Sequence, residues 1–259
     1  MNTCRVISKD HDEFESAIKK FLLSVGIQIV DETTPADFSI VLGGDGTALG
    51  AARRGLLVSP VVIINTGNLG FLSSSSFGLG VETIQRLLEG DFSITSRHLL
   101  TTQIYQSEFF ALNDVVVRPI KVNKLITLSL YDDSEDFLIA NYRADGLIIA
   151  SPTGSTAYNL SAGGPIIHPA CQVFCVTPIA AQGLTQRPLV LPSSTRLRIE
   201  VDDDDLYLSV DGQDGLPVIR GDSIMVSYNS HSIQTVNPVH SYYRTLQEKL
   251  GWGIKPVKP

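Results

Sequence analysis

The sequence has little that would cross-link it or carry it into a membrane. It holds 3 cysteines in 259 residues, an odd and small number that excludes a disulfide framework and suits a reducing cytoplasm. No run approaches the roughly 20 apolar residues of a membrane helix, and the opening MNTCRVISKDHDEF has no apolar signal core. Positive charge is scarce. Lys and Arg number 20 against 27 Asp and Glu, a formal net charge of −7, so the basic face of a general nucleic-acid binder is missing. Internal repeats and low-complexity linkers are absent too. What is present is apolar: 43% of residues are hydrophobic and 18% charged, which excludes a disordered chain and allows a substantial core.

The first third alternates strand and helix. Cys4–Ser8, Ile27–Val30, Phe38–Leu42 and Val61–Asn65 are short apolar strands. Asp12 caps a helix with Glu15 three residues on, and Phe14, Ala17, Ile18, Phe21 and Leu22 follow helical spacing to a stop at Gly26. Gly43–Gly46 is a tight turn, Thr47–Arg54 a helix closed by Gly55, and Val81–Leu88 a helix closed by Gly90. This alternation predicts a Rossmann-like parallel sheet. The texture changes near Asp91. Thr95–Tyr105, Phe109–Arg118, Leu125–Tyr131, Phe137–Tyr142, Leu147–Ala150, Val173–Ile179, Arg196–Val201, Leu206–Val210, Ile224–Tyr228 and Ser232–Val236 read as antiparallel strands, with hairpin tips at Tyr131–Asp136 and Asp202–Asp205. The expectation is an α/β domain over 1–92, a β-rich domain of sandwich type over 93–237, and a tail over 238–259, helical at Tyr242–Leu250, that packs back on the first domain.

Three segments carry chemistry. In Ser39–Thr47 a buried strand runs into Gly43-Gly44-Asp45-Gly46-Thr47 and then a helix. Glycines let a ligand approach the backbone, and a helix N-terminus offers N–H groups to phosphate. A carboxylate repels phosphate, so Asp45 serves another purpose, either taking a proton from a hydroxyl or helping to hold a metal. Gly44, Gly46 and Gly50 miss the dinucleotide spacing by one residue, and no P-loop sequence exists. The second segment, Asn65–Leu72, leaves a strand end with Asn65, Asn68 and Phe71 available to a sugar or base. The third, Ala144–Pro169, is crowded with small hydroxyls (Thr153, Ser155, Thr156, Ser161) beside Tyr158, an aromatic that can stack on a base. His168, Cys171 and Cys175 lack a fourth zinc ligand and read as core thiols beside a histidine; no metal site is assigned.

These segments, in this order, resemble the NAD kinase family. Gly43–Thr47 matches its glycine–glycine–aspartate–glycine–threonine motif, Asn65–Leu72 its second loop, Ala111–Arg118 its asparagine–acid segment, Asp145–Pro169 its longest signature, and Tyr242–Trp252 its ending. The resemblance implies Mg²⁺-dependent phosphoryl transfer from ATP or polyphosphate to the adenosine 2′-hydroxyl of NAD. It places Asp45 as general base and Gly43, Gly44, Gly46 and Thr47 at the donor phosphates. Asp45, Gly46, Phe71, Asn113, Asp114, Thr156, Ala157, Tyr158, Ser161 and Gln213 fall at NAD. Asp145 falls near the nicotinamide end, with Arg143 beside it at neighbouring-subunit contacts, implying a homo-oligomer (dimer or tetramer). The chain departs from the pattern at Asp114, where glutamate is usual. The competing readings are a lipid or sugar kinase sharing the glycine–aspartate turn, and an NAD(H) sensor that binds without transfer. A cytoplasmic protein without nucleic-acid or membrane partners completes the expectation.

Overall fold

Short apolar runs punctuated by glycine build the first of two units into which the chain divides: Met1–Thr95 with the chain after Ser232, and Ser96–Ser232. The computed structural model describes residues 1–9, 13–67, 70–121, 124–237 and 242–253. In the first unit, β1 (Thr3–Ser8), α1 (Glu13–Ser24), β2 (Gln28–Val30), β3 (Phe38–Leu42), α2 (Asp45–Arg53), β4 (Val61–Asn65), the two-residue β5 (Ser75–Ser76), a 3₁₀ turn at Phe77–Leu79 and α3 (Gly80–Glu89) follow in order. The strands lie β4-β3-β1-β2, each parallel to its neighbour. Every residue of β3 and β4 is buried, as expected of parallel strands covered on both faces. Ile40, Leu42, Val62 and Ile64 pack with Ile18 and Leu22 of α1 and Ile84 and Leu87 of α3. Val41 and Ile63 alternate to the opposite face and are equally buried. Gly26, Gly55 and Gly90 all close helices at positive φ (82°, 67° and 80°).

The stripe predicted for α1 is half right. Ile18 and Leu22 are core, but Phe14 is 37% exposed, against the Phe77 ring at 4.0 Å, and Ala17 is exposed. Glu15 is buried instead, bound to Lys19 one turn on at 2.5 Å. Asp12, the expected cap, lies outside the described residues.

Arg5 of β1 is buried and donates to three backbone carbonyls: Nε to Asp31 at 3.2 Å, Nη1 to Leu56 at 2.8 Å and Nη2 to Thr34 at 2.8 Å. Its planar fork ties two loops to the sheet. Arg5→Lys keeps the charge and loses the fork, and is expected to cost about 1–2 kcal/mol of stability, measured as a lower denaturant midpoint at unchanged slope.

The second unit is antiparallel. Its elements are β6 (Ile94–Ile104), β7 (Ser107–Ala111), β8 (Asp114–Pro119), β9 (Ile126–Asp132), β10 (Phe137–Ala144), β11 (Gly146–Ala150), a 3₁₀ turn at Gly154–Thr156, α4 (Tyr158–Ser161), β12 (Val173–Ile179), β13 (Leu189–Pro192), β14 (Arg196–Val201), β15 (Leu206–Val210), β16 (Asp214–Val218) and β17 (Ser223–Val236). One sheet runs β10-β9-β14-β17, with the β6–β7 hairpin on β17; the other runs β13-β12-β11-β8-β15-β16. Val115, Val117, Leu147 and Ile149 of the second sheet bury against Leu128, Leu130, Leu197 and Ile199 of the first. Past Ser232, Thr235 of β17 pairs in parallel with Val61, and α5 (Tyr242–Leu250) also belongs to the first unit.

The structure corrects several element expectations. Phe109–Arg118 is two strands in different sheets, broken at Leu112–Asn113 where the chain crosses from one to the other and its N–H groups bond to a distant carboxylate. Ile224–Tyr228 and Ser232–Val236 are one strand, β17; β13 and β16 were not foreseen. Asp202–Asp205 is no hairpin tip, since β14 and β15 lie in different sheets. Two of its acids instead meet lysines, Asp205 with Lys121 at 2.8 Å and Asp203 with Lys124 at 3.9 Å, while Asp204 pairs with Arg220 at 4.0 Å. Of the two expected core thiols, Cys175 is buried but Cys171 is exposed; Cys4 is also buried, its thiol pushed by burial up to about 12, and none of the three forms a disulfide.

Candidate active site

In the first unit, the carboxyl ends of β3 and β4 lie side by side, the position where open α/β sheets take ligands. The β3 end turns through Gly43, whose φ of +142° and whose missing Cβ, which would stand 2.5 Å from Thr47 Oγ1, both require glycine. Gly44 is the helix cap: its carbonyl accepts from Thr47 N at 3.0 Å and Ala48 N at 3.3 Å. The helix therefore starts at Asp45, two residues earlier than the sequence predicts, and the Asp45 carboxylate stands at the N-terminus of α2. The β4 loop wraps onto it. Phe71 N donates to Asp45 Oδ2 at 2.8 Å and Leu72 N to Oδ1 at 3.2 Å. A Cβ on Gly70 would fall 1.9 Å from Asp45 Oδ1, so this loop comes as close to the carboxylate as a glycine permits. Asn65 and Ser73 brace the loop: Gly67 N donates to Asn65 Oδ1 at 2.7 Å and Gly70 N to Ser73 Oγ at 3.2 Å. Asn68 lies outside the described residues.

In the second unit, residues 114, 116 and 118 of β8 share one face of the sheet by strand alternation. A cavity of about 370 Å³ over that face gathers Asn113, Asp114 and Arg118 with Ala157 and Tyr158 from the α4 turn and Asp211 from the turn after β15. Asp114 is 5% exposed. Burial, and then the charge of Asp211, push its carboxyl up to about 7. A larger cavity of about 1000 Å³ is lined by Arg118, Lys121, Asp145, Tyr158 and Gln213. Asn159, fully buried, holds the hydroxyl-rich loop. Its Nδ2 donates to Ser155 O and Pro165 O, each at 3.1 Å, and its Oδ1 accepts from Thr177 at 2.6 Å.

The residues singled out from sequence thus fall into groups. Gly43, Gly44, Asp45, Gly46, Thr47 and Phe71 cluster at the β3 and β4 ends. Asn113, Asp114, Ala157 and Tyr158 share the smaller cavity, and Asp145, Tyr158 and Gln213 the larger. Thr156, Ser161 and Arg143 line neither of these cavities: Thr156 Oγ1 bonds Thr153 O at 3.4 Å, Ser161 ends α4 exposed, and Arg143 is exposed on β10. Sequence reasoning missed Arg118 and Asp211. The same-face spacing from Asp114 pointed to the first, and the Asp211-Gly212 turn dipeptide to a turn at the second.

Residues 3–92 match the family model of the ATP-NAD kinase N-terminal domain and residues 112–238 that of the ATP-NAD kinase C-terminal domain. The chain belongs to the NAD kinase family. Among its relatives, the NAD kinase of Solibacter usitatus (strain Ellin6076) is 41% identical over 226 residues, covering 84% of this chain and 78% of the relative. That of Geobacter sulfurreducens is 38% identical over 236 residues, covering 87% and 82%. Among solved structures, yeast NADH kinase complexed with NADH superposes with a TM-score of 0.89 at 25% identity, over 100% of this chain and 90% of that one. An NAD kinase from Archaeoglobus fulgidus in complex with ATP shares the fold at a TM-score of 0.82 and 24% identity, over 96% and 98%. This NAD kinase family member therefore has the α/β and antiparallel β-rich pair of domains expected from its sequence.

Proposed function

We propose that the protein transfers the terminal phosphoryl group of ATP to the 2′-hydroxyl of the adenosine ribose of NAD, giving NADP, with Asp45 as general base. Family membership makes it an enzyme that phosphorylates NAD, and so disfavours both the lipid or sugar kinase and the sensor that binds without transfer. The observation that carries the acceptor assignment is the 370 Å³ cavity, where an amide, a carboxyl and a tyrosine ring converge from separate segments. A ribose hydroxyl is a poor nucleophile, so transfer needs alignment, charge neutralisation and an acceptor for its proton. Phe71 and Leu72 N–H occupy two of the roughly four lone-pair sites of the Asp45 carboxylate, which fixes its direction and leaves capacity for a hydroxyl. The Gly43–Thr47 turn and the N-terminus of α2 suit the donor phosphates. Asn113 and Asp114 suit the sugar hydroxyls, Tyr158 the adenine, and Asp145 with Gln213 the nicotinamide end.

A Mg²⁺ ion belongs to the reading as part of the donor, neutralising charge on its phosphates. We propose further a cytoplasmic homo-oligomer, dimer or tetramer. Three free cysteines fit the compartment, and β10, an end strand with Phe137 63% exposed and Arg143 exposed on it, fits an interface. Among the described residues no helix is long and apolar enough to cross a membrane.

Purified protein given NAD, Mg²⁺ and ATP or polyphosphate in turn should form NADP, and phosphorus NMR should place the new phosphate at the adenosine 2′ position alone. NAD bound without turnover under any donor, or phosphate at the 3′ position, overturns the reading.

A further inference from the structure

We propose that Asp211 is a positioning residue of the acceptor site, whose carboxylate holds the Leu112–Asp114 bend and so fixes where Asn113 and Asp114 meet the ribose. This rests on the reading of that cavity as the NAD site. The bend carries the chain from β7 in one sheet to β8 in the other, so its peptide groups need partners outside the β6–β7 ladder. Asp211 supplies most of them. Its Oδ2 accepts from Leu112 N at 3.0 Å, and its Oδ1 from Asn113 N at 2.7 Å and Asp114 N at 3.1 Å. Its own N–H donates back to Asp114 O at 2.9 Å. The remaining carbonyls go to Ser151, whose Oγ donates to Leu112 O and whose N–H donates to Asn113 O at 2.9 Å. Two residues thus serve every N–H and C=O of the three-residue bend.

The position of Asp211 is itself costly. It is 8% exposed and adopts a left-handed φ of +49°, followed by Gly212 at +67°. A carboxylate buried this far, at a positive φ uncommon outside glycine, stands 98 residues along the chain from the acceptor segment it grips. After burial, its charge is the second influence that raises the Asp114 carboxyl. Among the described residues that line the cavity, the titratable and charged groups beside Asp114 are Asp211 from the turn after β15, Arg118 on the same strand and Tyr158 from α4. With its carboxyl held near 7, Asp114 is protonated on the acid side, able to donate to a sugar hydroxyl and free of charge against the NAD diphosphate. NAD affinity should fall as pH rises through about 7.

The test is Asp211→Asn in the full chain, with calorimetric titration of NAD without donor, steady-state kinetics and the pH dependence of NAD affinity. The amide presents an N–H to one of the three donors and removes the charge. We expect NAD affinity to fall tenfold or more, KM for ATP to stay within twofold, and the pH transition to move from neutrality toward the ordinary carboxylate range. Equal loss for NAD and ATP, or an unmoved pH transition with unchanged NAD affinity, overturns the proposal, because a merely structural role predicts no such selectivity. If Asp211→Asn does not fold, Asp211→Glu serves. It keeps the charge and pushes its oxygens into peptides already at 2.7–3.1 Å, so NAD affinity should fall while the pH transition stays in place, and unchanged affinity overturns the proposal. A parent protein that binds no NAD removes the functional reading and this proposal together. A parent that binds NAD beside an Asp211→Asn equal to it removes the proposal alone.

Discussion

Replacing Asp45 by asparagine should lower kcat by about 10²–10⁴, the usual contribution of a general base, while NAD affinity stays within a few-fold. The amide has the carboxylate's shape and cannot take the hydroxyl proton. Its oxygen can still accept from Phe71 N, now 2.8 Å from Oδ2, but its NH₂ then faces the Leu72 N–H, 3.2 Å from Oδ1. One backbone bond of the β4 loop is therefore lost as well, worth about 1 kcal/mol. That is too small to account for the expected rate loss, so rate and local loosening can be separated. The cavity proposed for adenosine is lined wholly by residues of the second unit, so the substitution should leave it intact. Single-turnover rates with saturating ATP, beside calorimetric NAD titration, decide the matter. Turnover within a few-fold of the parent would mean that Asp45 positions the β4 loop and that another group accepts the proton.

The parts of this fold that could be read from sequence are those fixed by neighbours in the chain. Gly26, Gly55 and Gly90 end helices because each residue there takes a positive φ, and β3 and β4 are legible because strands covered on both faces are unbroken apolar runs. Where the deciding partner is remote, the reading fails. Val115, Val116 and Val117 extend the strand pattern back through Leu112, and nothing local reveals that the chain changes sheets there with its N–H groups held by Asp211. Glu15 sits one position off the apolar stripe of α1 and is buried because Lys19 pairs with it. The candidate site follows the same division. The glycine-rich turn and hydroxyl-rich loop are contiguous and therefore visible, and Arg118 shares the Asp114 face at a spacing the strand period displays; Asp211 joins the pocket through sheet geometry, which sequence spacing does not display. The start of α2 is a different case. Three glycines in four residues suggest an open turn, yet the Gly44 carbonyl captures Thr47 N and Ala48 N and brings Asp45 into the helix.

Gly154→Ala should weaken NAD binding by ten- to more than a hundred-fold and leave ATP binding within twofold. A Cβ at residue 154 would stand 2.0 Å from Asn113 O, 2.4 Å from its carbonyl carbon and 2.7 Å from its Cα. These are backbone atoms, so no rotamer change relieves the contact. The loop cannot retreat freely: Gly154 N is bonded to Ser151 Oγ at 3.1 Å, and Ser155 Oγ donates to Pro152 O at 2.7 Å and accepts from Ile167 N at 3.0 Å. The bend cannot yield freely, because Asp211 and Ser151 hold it. Relief must displace either Asn113 or the segment leading to Ala157 and Tyr158, and both line the same cavity. Overpacking of this kind costs about 1–3 kcal/mol, and at the upper end a loss confined to the bound state gives the hundred-fold effect. ATP should be spared because the Gly43–Thr47 turn belongs to the first unit. Gly163→Ala is the control: its φ of +85° makes alanine strained there, yet nothing lies within 4 Å of the added carbon. It should lower thermal stability by about 1 kcal/mol and leave NAD affinity unchanged. Paired calorimetric titrations of NAD and ATP on both variants read the difference. A Gly154→Ala protein that binds NAD as the parent does would place the adenosine somewhere other than against Asn113 and Tyr158.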